Sequence, residues 1–280
     1  SLRGAPVCTS LSGRSALFLL KISSCKTDGD SEIIRMKRLK CVIAYDGTHF
    51  EGYQRQPEKR TIQGEIEKVL MKMHKGEMIP IFASGRTDAH VHAKGQVIHF
   101  DSPLEIPVDR WKIALNTLLP SDIVVVTTEE VPSDFHARFS VKGKEYHYYI
   151  SLKKDRDPFT RNYYYHFPYP LHFRKMEKAA KYLVGTYDFT SFCSAKTEVK
   201  DRIRTIESLT LIQEGDQLII KIKGTGFLYN MVRIIVGTLL EVGTGKRAPE
   251  EIPQIIEAKD RMQAGKTVPG HGLYLYKVYY

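Results

Sequence analysis

Apolar residues follow two rhythms along this chain, and each predicts a different element. Short apolar or β-branched runs at 39–45, 97–100, 123–128 and 146–150 predict strands, the first ending at Asp46-Gly47, a turn signal. Thr61 is placed to cap a helix in which Ile62, Ile66, Val69, Leu70 and Met73 recur at helical spacing. A second helix is expected over 108–119, with Trp111, Leu115 and Leu118 on one side and Pro120 as its stop. Met176, Ala179, Ala180 and Leu183 form a third stripe, and Gly185 suits its C-terminal end. Residues 206–212 and 218–223 predict a hairpin around Glu214-Gly215-Asp216. A strongly apolar helix is expected over 227–242, another over 249–259, and a closing strand over 273–280.

Strands and helices mix in each half in the manner of split βαβ units. The expected fold class is therefore α+β. We expect two ferredoxin-like or RRM-like domains, residues 36–140 and 141–280, whose antiparallel-rich sheets adjoin to form a central cleft. Residues 1–35 lack this periodicity and are rich in Ser and small side chains. They read as an atypical, disordered N-terminal extension or leader. A transit peptide is an alternative that Asp28, Asp30 and Glu32 oppose.

Charge narrows the partners. The formal net charge is +10 and the pI about 9.3, which favours anionic partners, nucleic acid first and membrane surface second. No segment has the roughly 20 consecutive apolar residues of a membrane span. Cys8, Cys25, Cys41 and Cys193 are scattered without a Cys-x-x-Cys pair. They fit neither a zinc site nor a disulfide framework, and a reducing cytoplasm is the simplest compartment.

Three features carry candidate chemistry. The first is Asp88 in Gly85-Arg86-Thr87-Asp88-Ala89-His90-Val91-His92-Ala93, a carboxylate in a tight loop beside Arg86. A turn-capping Asp is the plainer alternative. A zinc site built from Asp88, His90, His92 and His99 is another, though no further ligand of matching spacing follows. The second is Arg233, in the helix that is apolar on nearly every side. A buried guanidinium keeps its proton and needs an anion. That anion is either a structural partner or an active-site carboxylate held ionised. The third is Phe135-His136-Ala137-Arg138-Phe139-Ser140, followed by Lys144-Glu145-Tyr146-His147-Tyr148-Tyr149. Aromatic and basic residues alternate there, as base stacking and phosphate contact require. For Tyr148 and Tyr149 a place in the core is the better reading.

Taken in order, the motifs resemble the tRNA pseudouridine synthase A (TruA) family. The resemblance rests on Tyr45-Asp46-Gly47-Thr48-His49-Phe50-Glu51-Gly52-Tyr53-Gln54-Arg55-Gln56, on Arg60-Thr61-Ile62-Gln63-Gly64, and on the Asp88 loop. It continues through Leu119-Pro120-Ser121-Asp122-Ile123, residues 135–140, Tyr146, Asp188-Phe189-Thr190-Ser191-Phe192, residues 226–237, and Pro269 with Gly272-Leu273-Tyr274-Leu275. It implies an isomerase that converts uridine to pseudouridine in the tRNA anticodon stem-loop, at tRNA positions 38 to 40. Asp88 would be the nucleophile and Arg233 its partner. Tyr146 would pack on the target base and possess a phenol for a late proton transfer. Arg86 would displace the base from its stack, and Arg138 would join Arg86 and Tyr146 in binding substrate. A homodimer with tRNA across both subunits is implied too. Because product and substrate are isomers, neither a cofactor nor a metal is expected. Two positions depart from the family pattern: Tyr53 stands where Trp is commoner, and His90 where Gly is commoner. A non-catalytic tRNA-binding or chaperone protein is the competing reading, followed by the metal-dependent hydrolase.

Overall fold

The first strand shows why the sheet forms. In β1 (Lys37–Tyr45) every second residue, Leu39, Cys41, Ile43 and Tyr45, is buried, the period-two pattern of a pleated strand with one covered face. β1 pairs antiparallel with β3 (His92–Ser102) on one side and β4 (Ile123–Val131) on the other. A two-residue strand, β2 (Phe82–Ala83), adds to β3. The computed structural model describes residues 35–195 and 199–280. The expected N-terminal extension, except Arg35, lies outside the described residues, as do Cys8 and Cys25.

Two helices cover the inner face of this part. α1 (Ile62–Met73) is capped by Thr61, whose hydroxyl accepts from Gly64 N–H, and it buries Ile62, Ile66, Val69 and Leu70. α2 (Val108–Leu118) buries Trp111 and Leu115. Leu118, expected on the same side, is instead exposed. The residue before a proline avoids the helical region. Leu119 therefore turns extended ahead of Pro120 and is buried in its stead.

The remaining strands are β5 (Gly143–Ser151), β6 (Tyr165–His166), β7 (Gly185–Asp188), β8 (Ile203–Glu214), β9 (Gln217–Gly224) and β10 (Leu273–Tyr279). The β8–β9 hairpin turns at Gly215, whose φ of 56° favours glycine. α3 (Phe173–Leu183) buries Met176, Ala179, Ala180 and Leu183. α4 (Met231–Gly243) is buried almost all round, and α5 (Glu251–Ala258) packs Ile252, Ile255 and Ile256 inward. The structure starts α4 at Met231, not at the expected residue 227. Asn230 is left-handed (φ 61°), a conformation Asn tolerates better than most residues, so the chain turns sharply before the helix begins.

All ten strands join in one mostly antiparallel sheet, and the fold is α+β. Its main path runs β4-β1-β3-β10-β5-β9-β8-β7. β10 is the join. It pairs antiparallel with β5 and, over only Tyr274–His92 and Leu275–Ala93, parallel with β3. Two apolar cores pack on the sheet, and Tyr146 touches both. Among the described residues, no helix is long and apolar enough to cross a membrane.

Candidate active site

The loop between β2 and β3 carries Asp88, and three neighbouring segments fix its path. On one side, Tyr53 N–H donates to the Thr87 carbonyl at 3.0 Å, His90 N–H donates to the Phe50 carbonyl, and the Tyr45 and Thr87 hydroxyls lie 2.8 Å apart. Gly47 permits this approach: a Cβ there would lie 2.1 Å from the Val91 carbonyl oxygen. On the opposite side, a Cβ on Gly270 would lie 2.8 Å from the Ala89 carbonyl oxygen. At the loop's base, Gln96 Nε2 donates to the Gly85 carbonyl and Lys144 Nζ to the Ser84 carbonyl, each at 2.9 Å.

The structure brings Asp88 and Arg233 together. Arg233 Nη1 donates to Asp88 Oδ2 at 3.2 Å and to Asn230 Oδ1 at 2.8 Å, while its Nε donates to the Val268 carbonyl at 2.8 Å. The guanidinium is thus oriented from three sides. Asp88's side chain keeps 30% exposure and Arg233's 18%. The attraction between the pair is therefore weaker than in fully buried pairs, and the burial of Asp88 outweighs it. Burial raises the Asp88 carboxyl above the ordinary aspartate value, and the Arg233 charge and hydrogen bond oppose it.

Tyr146, on β5, stands edge-on to Phe227 with ring centroids 5.1 Å apart. Burial first, then Tyr45 and Asp88, raises its phenol above the ordinary tyrosine value. The ring is neutral at physiological pH. Arg86 is exposed, and so is Arg138, which lies 5.7 Å from the Phe139 ring. Neither is within hydrogen-bond reach of Asp88 among the described residues.

The histidines of the metal alternative are spent on the backbone. His92 Nδ1 accepts from Gly47 N–H at 2.9 Å, and its Nε2 donates to the Asn162 carbonyl at 2.9 Å. His99 Nδ1 accepts from Ala137 N–H at 3.1 Å. Burial, then Arg38 and His136, brings His99 down to about 4. His90 Nδ1 lies 3.0 Å from the Thr48 carbonyl. Among the described residues, no three His, Cys, Asp or Glu side chains gather as a metal site would require. His90 has a φ of 63°, which explains why Gly suits this position. Tyr53 is buried, and its hydroxyl has no hydrogen-bond partner among the described residues.

Sequence reasoning named Lys144 only within the basic and aromatic run 144–149, and Asn230 only within the 226–237 motif, and gave neither a role of its own. Asn230 had a readable signal, a short polar side chain three residues before Arg233 at a helix start. Lys144 had none beyond its alternation with Tyr146, because its contact with Ser84 spans 60 residues of sequence.

An α+β sheet with a carboxylate held by a guanidinium, near an aromatic ring and within a basic chain, is chemistry compatible with an enzyme acting on nucleic acid. The chain belongs to the tRNA pseudouridine synthase family, isomerases that convert uridine to pseudouridine in tRNA: the family model described as tRNA pseudouridine synthase matches residues 41–140 and 179–280. Individual relatives are similar over nearly their whole length. A tRNA pseudouridine synthase A from Anoxybacillus flavithermus is 60% identical over 245 residues, 88% of this chain and 99% of that protein. A tRNA pseudouridine synthase A 1 from Bacillus cereus is 58% identical over the same shares. The tRNA pseudouridine synthase A of Halalkalibacterium halodurans is 59% identical, over 85% of this chain and 90% of that protein.

Proposed function

We propose that this chain isomerises uridine in the tRNA anticodon stem-loop, at tRNA positions 38 to 40, with Asp88 as nucleophile. The contact of Arg233 with Asp88 at 3.2 Å carries the reading. A carboxylate raised by burial is a poor nucleophile when protonated, and a neighbouring guanidinium keeps the ionised form accessible.

The reaction breaks the bond between uracil N1 and ribose C1′ and makes one from C5 to C1′. The C5 proton leaves and N1 gains one, so the product is an isomer and no group donor enters the balance. Asp88 forms a transient covalent bond to one of the two halves, at uracil C6 or ribose C1′, and that bond breaks again as the C5–C1′ product is released. The uridine first leaves its stack at a cost of a few kcal/mol, offset by pocket contacts. Tyr146 supplies one of these by packing on the base. As a neutral phenol it is an acid before it is a base, and its part in proton transfer follows C5 bond formation. Arg86, exposed on the Asp88 loop, fills the gap the base leaves, and Arg138 meets the RNA backbone. A homodimer with one tRNA across both subunits, working in the cytoplasm, belongs to the same reading, as does the division at residues 140 and 141 into two domains.

The test is tritium release from tRNA labelled at uridine C5. Asp88→Asn and Asp88→Ala are expected to release none while still binding tRNA within about threefold of the unsubstituted protein, since binding is mainly a matter of phosphate contacts. Turnover by either variant would remove Asp88 from the chemistry.

A further inference from the structure

Lys144 is tied to the Asp88 loop yet lacks an anion. Its Nζ donates to the Ser84 carbonyl at 2.9 Å. A Cβ on Gly85 would lie 2.4 Å from that nitrogen, so a side chain at residue 85 would push the Lys144 ammonium aside. β5 is regular here, and Lys144 points to the same side as Tyr146, two residues on. Directly opposite Lys144 in β9 stands Gly224, which has no side chain to cover it. No carboxylate of the described residues pairs with Lys144. After burial, the influence on it is Arg138, another cation, and the two bring the amine down to about 8.

An ammonium has three N–H donors, and Ser84 takes one. A half-buried cation beside a second cation is costly unless an anion arrives. The described residues supply none here, which leaves the place open to an anion on a ligand. The anion that a tRNA brings beside its reacting nucleotide is a phosphodiester.

We propose that Lys144 binds a non-bridging phosphate oxygen immediately next to the uridine delivered to Asp88, an inference that rests on the reading of Asp88 as the reacting group. Lys144 is then the inner phosphate contact of the site and Arg138 an outer one. The same ammonium fixes Ser84, so seating the phosphate is coupled to the loop that carries Asp88.

The experiment uses the full chain with Asp88→Asn, so that RNA is bound without turnover, and an anticodon stem-loop RNA. Each of the two phosphates flanking the target uridine is replaced in turn by an uncharged methylphosphonate. One replacement is expected to weaken binding about tenfold, as loss of a charge-assisted contact does. Lys144→Met should weaken binding to the native RNA similarly, and should add less than about twofold with that modified RNA. The slope of log affinity against log salt should be shallower by about 0.7–0.9 in Lys144→Met, the value of one phosphate contact, and Lys144→Arg should restore it. Additive losses, or an unchanged salt slope, overturn the proposal. A contact to the uracil carbonyls instead of phosphate would give that unchanged slope. Should Lys144→Met fail to fold, the two modified RNAs still decide with Lys144 in place: if neither replacement matters, the contact does not exist. Failure of the Asp88 reading is seen separately, as tritium release by Asp88→Asn with native RNA.

Discussion

At Asp88 two physical effects compete, and their order sets a pH dependence. Burial raises the carboxyl and Arg233 opposes it, with the rise prevailing. If Asp88 is the nucleophile proposed above, catalysis needs its ionised form, and single-turnover rates should fall on the acid side through a midpoint above the ordinary aspartate range. In Arg233→Gln the opposing charge is gone, and the midpoint should move further up, read from the pH–rate profile. An unmoved midpoint would show that Arg233 does not act on this carboxylate. Stability follows the same sign. A folded value above the unfolded one contributes stability that is full below the unfolded value and lost as pH rises through the folded value. Asp88→Asn should therefore melt no lower than the unsubstituted protein at pH 7, while Arg233 retains Asn230 and the Val268 carbonyl. Tyr53 shows a second local cost. Its buried hydroxyl lacks a partner among the described residues, a loss of about 1–3 kcal/mol. Tyr53→Phe should raise stability by about 1 kcal/mol in denaturant melts, and a drop would reveal a partner for the hydroxyl.

At the scale of elements, the Asp88 loop is held by other segments more than by itself. Gly47 shows how closely they approach. Gly47→Ala would put a methyl group 2.1 Å from the Val91 carbonyl oxygen. Overpacking against backbone should cost about 1–3 kcal/mol and slow turnover by moving Asp88, checked by melting and tritium release. A fully active, equally stable variant would mean the loop yields freely. The elements differ in how well the sequence announces them. The stripe of Met176, Ala179, Ala180 and Leu183 is local and maps directly onto α3. β3 was visible only over 97–100, yet it runs from His92 to Ser102. Its buried His92, Gln96 and His99 interrupt the apolar run, and they are tolerated because their side chains bond to neighbouring backbone or, for Gln96, also to Ser84. Asp88 and Arg233 each stood out by residue type and setting. Their approach, across 145 residues of sequence, comes from packing that no local pattern encodes.

For the whole molecule, the order of strands in space differs from their order in the chain. β10 follows every other described strand in sequence and lies between β3 and β5 in the sheet. A ribosome delivers the chain from the N-terminus at about 5–20 residues per second. Until residue 273 has emerged, β3 and β5 each present an open edge, a template for unwanted pairing. The half-made protein therefore holds a gap at the centre of its sheet, and the Asp88 loop lacks Gly270 at its back. Nascent chains stalled with residue 260 outside the ribosome should be cut readily by protease around 92–93 and 143–148, the stretches that β10 pairs with. Chains stalled with residue 280 outside should resist, and equal protection of both would show that the sheet needs no final strand. β10 thus closes the sheet from within after the other described strands have been made, as a keystone closes an arch.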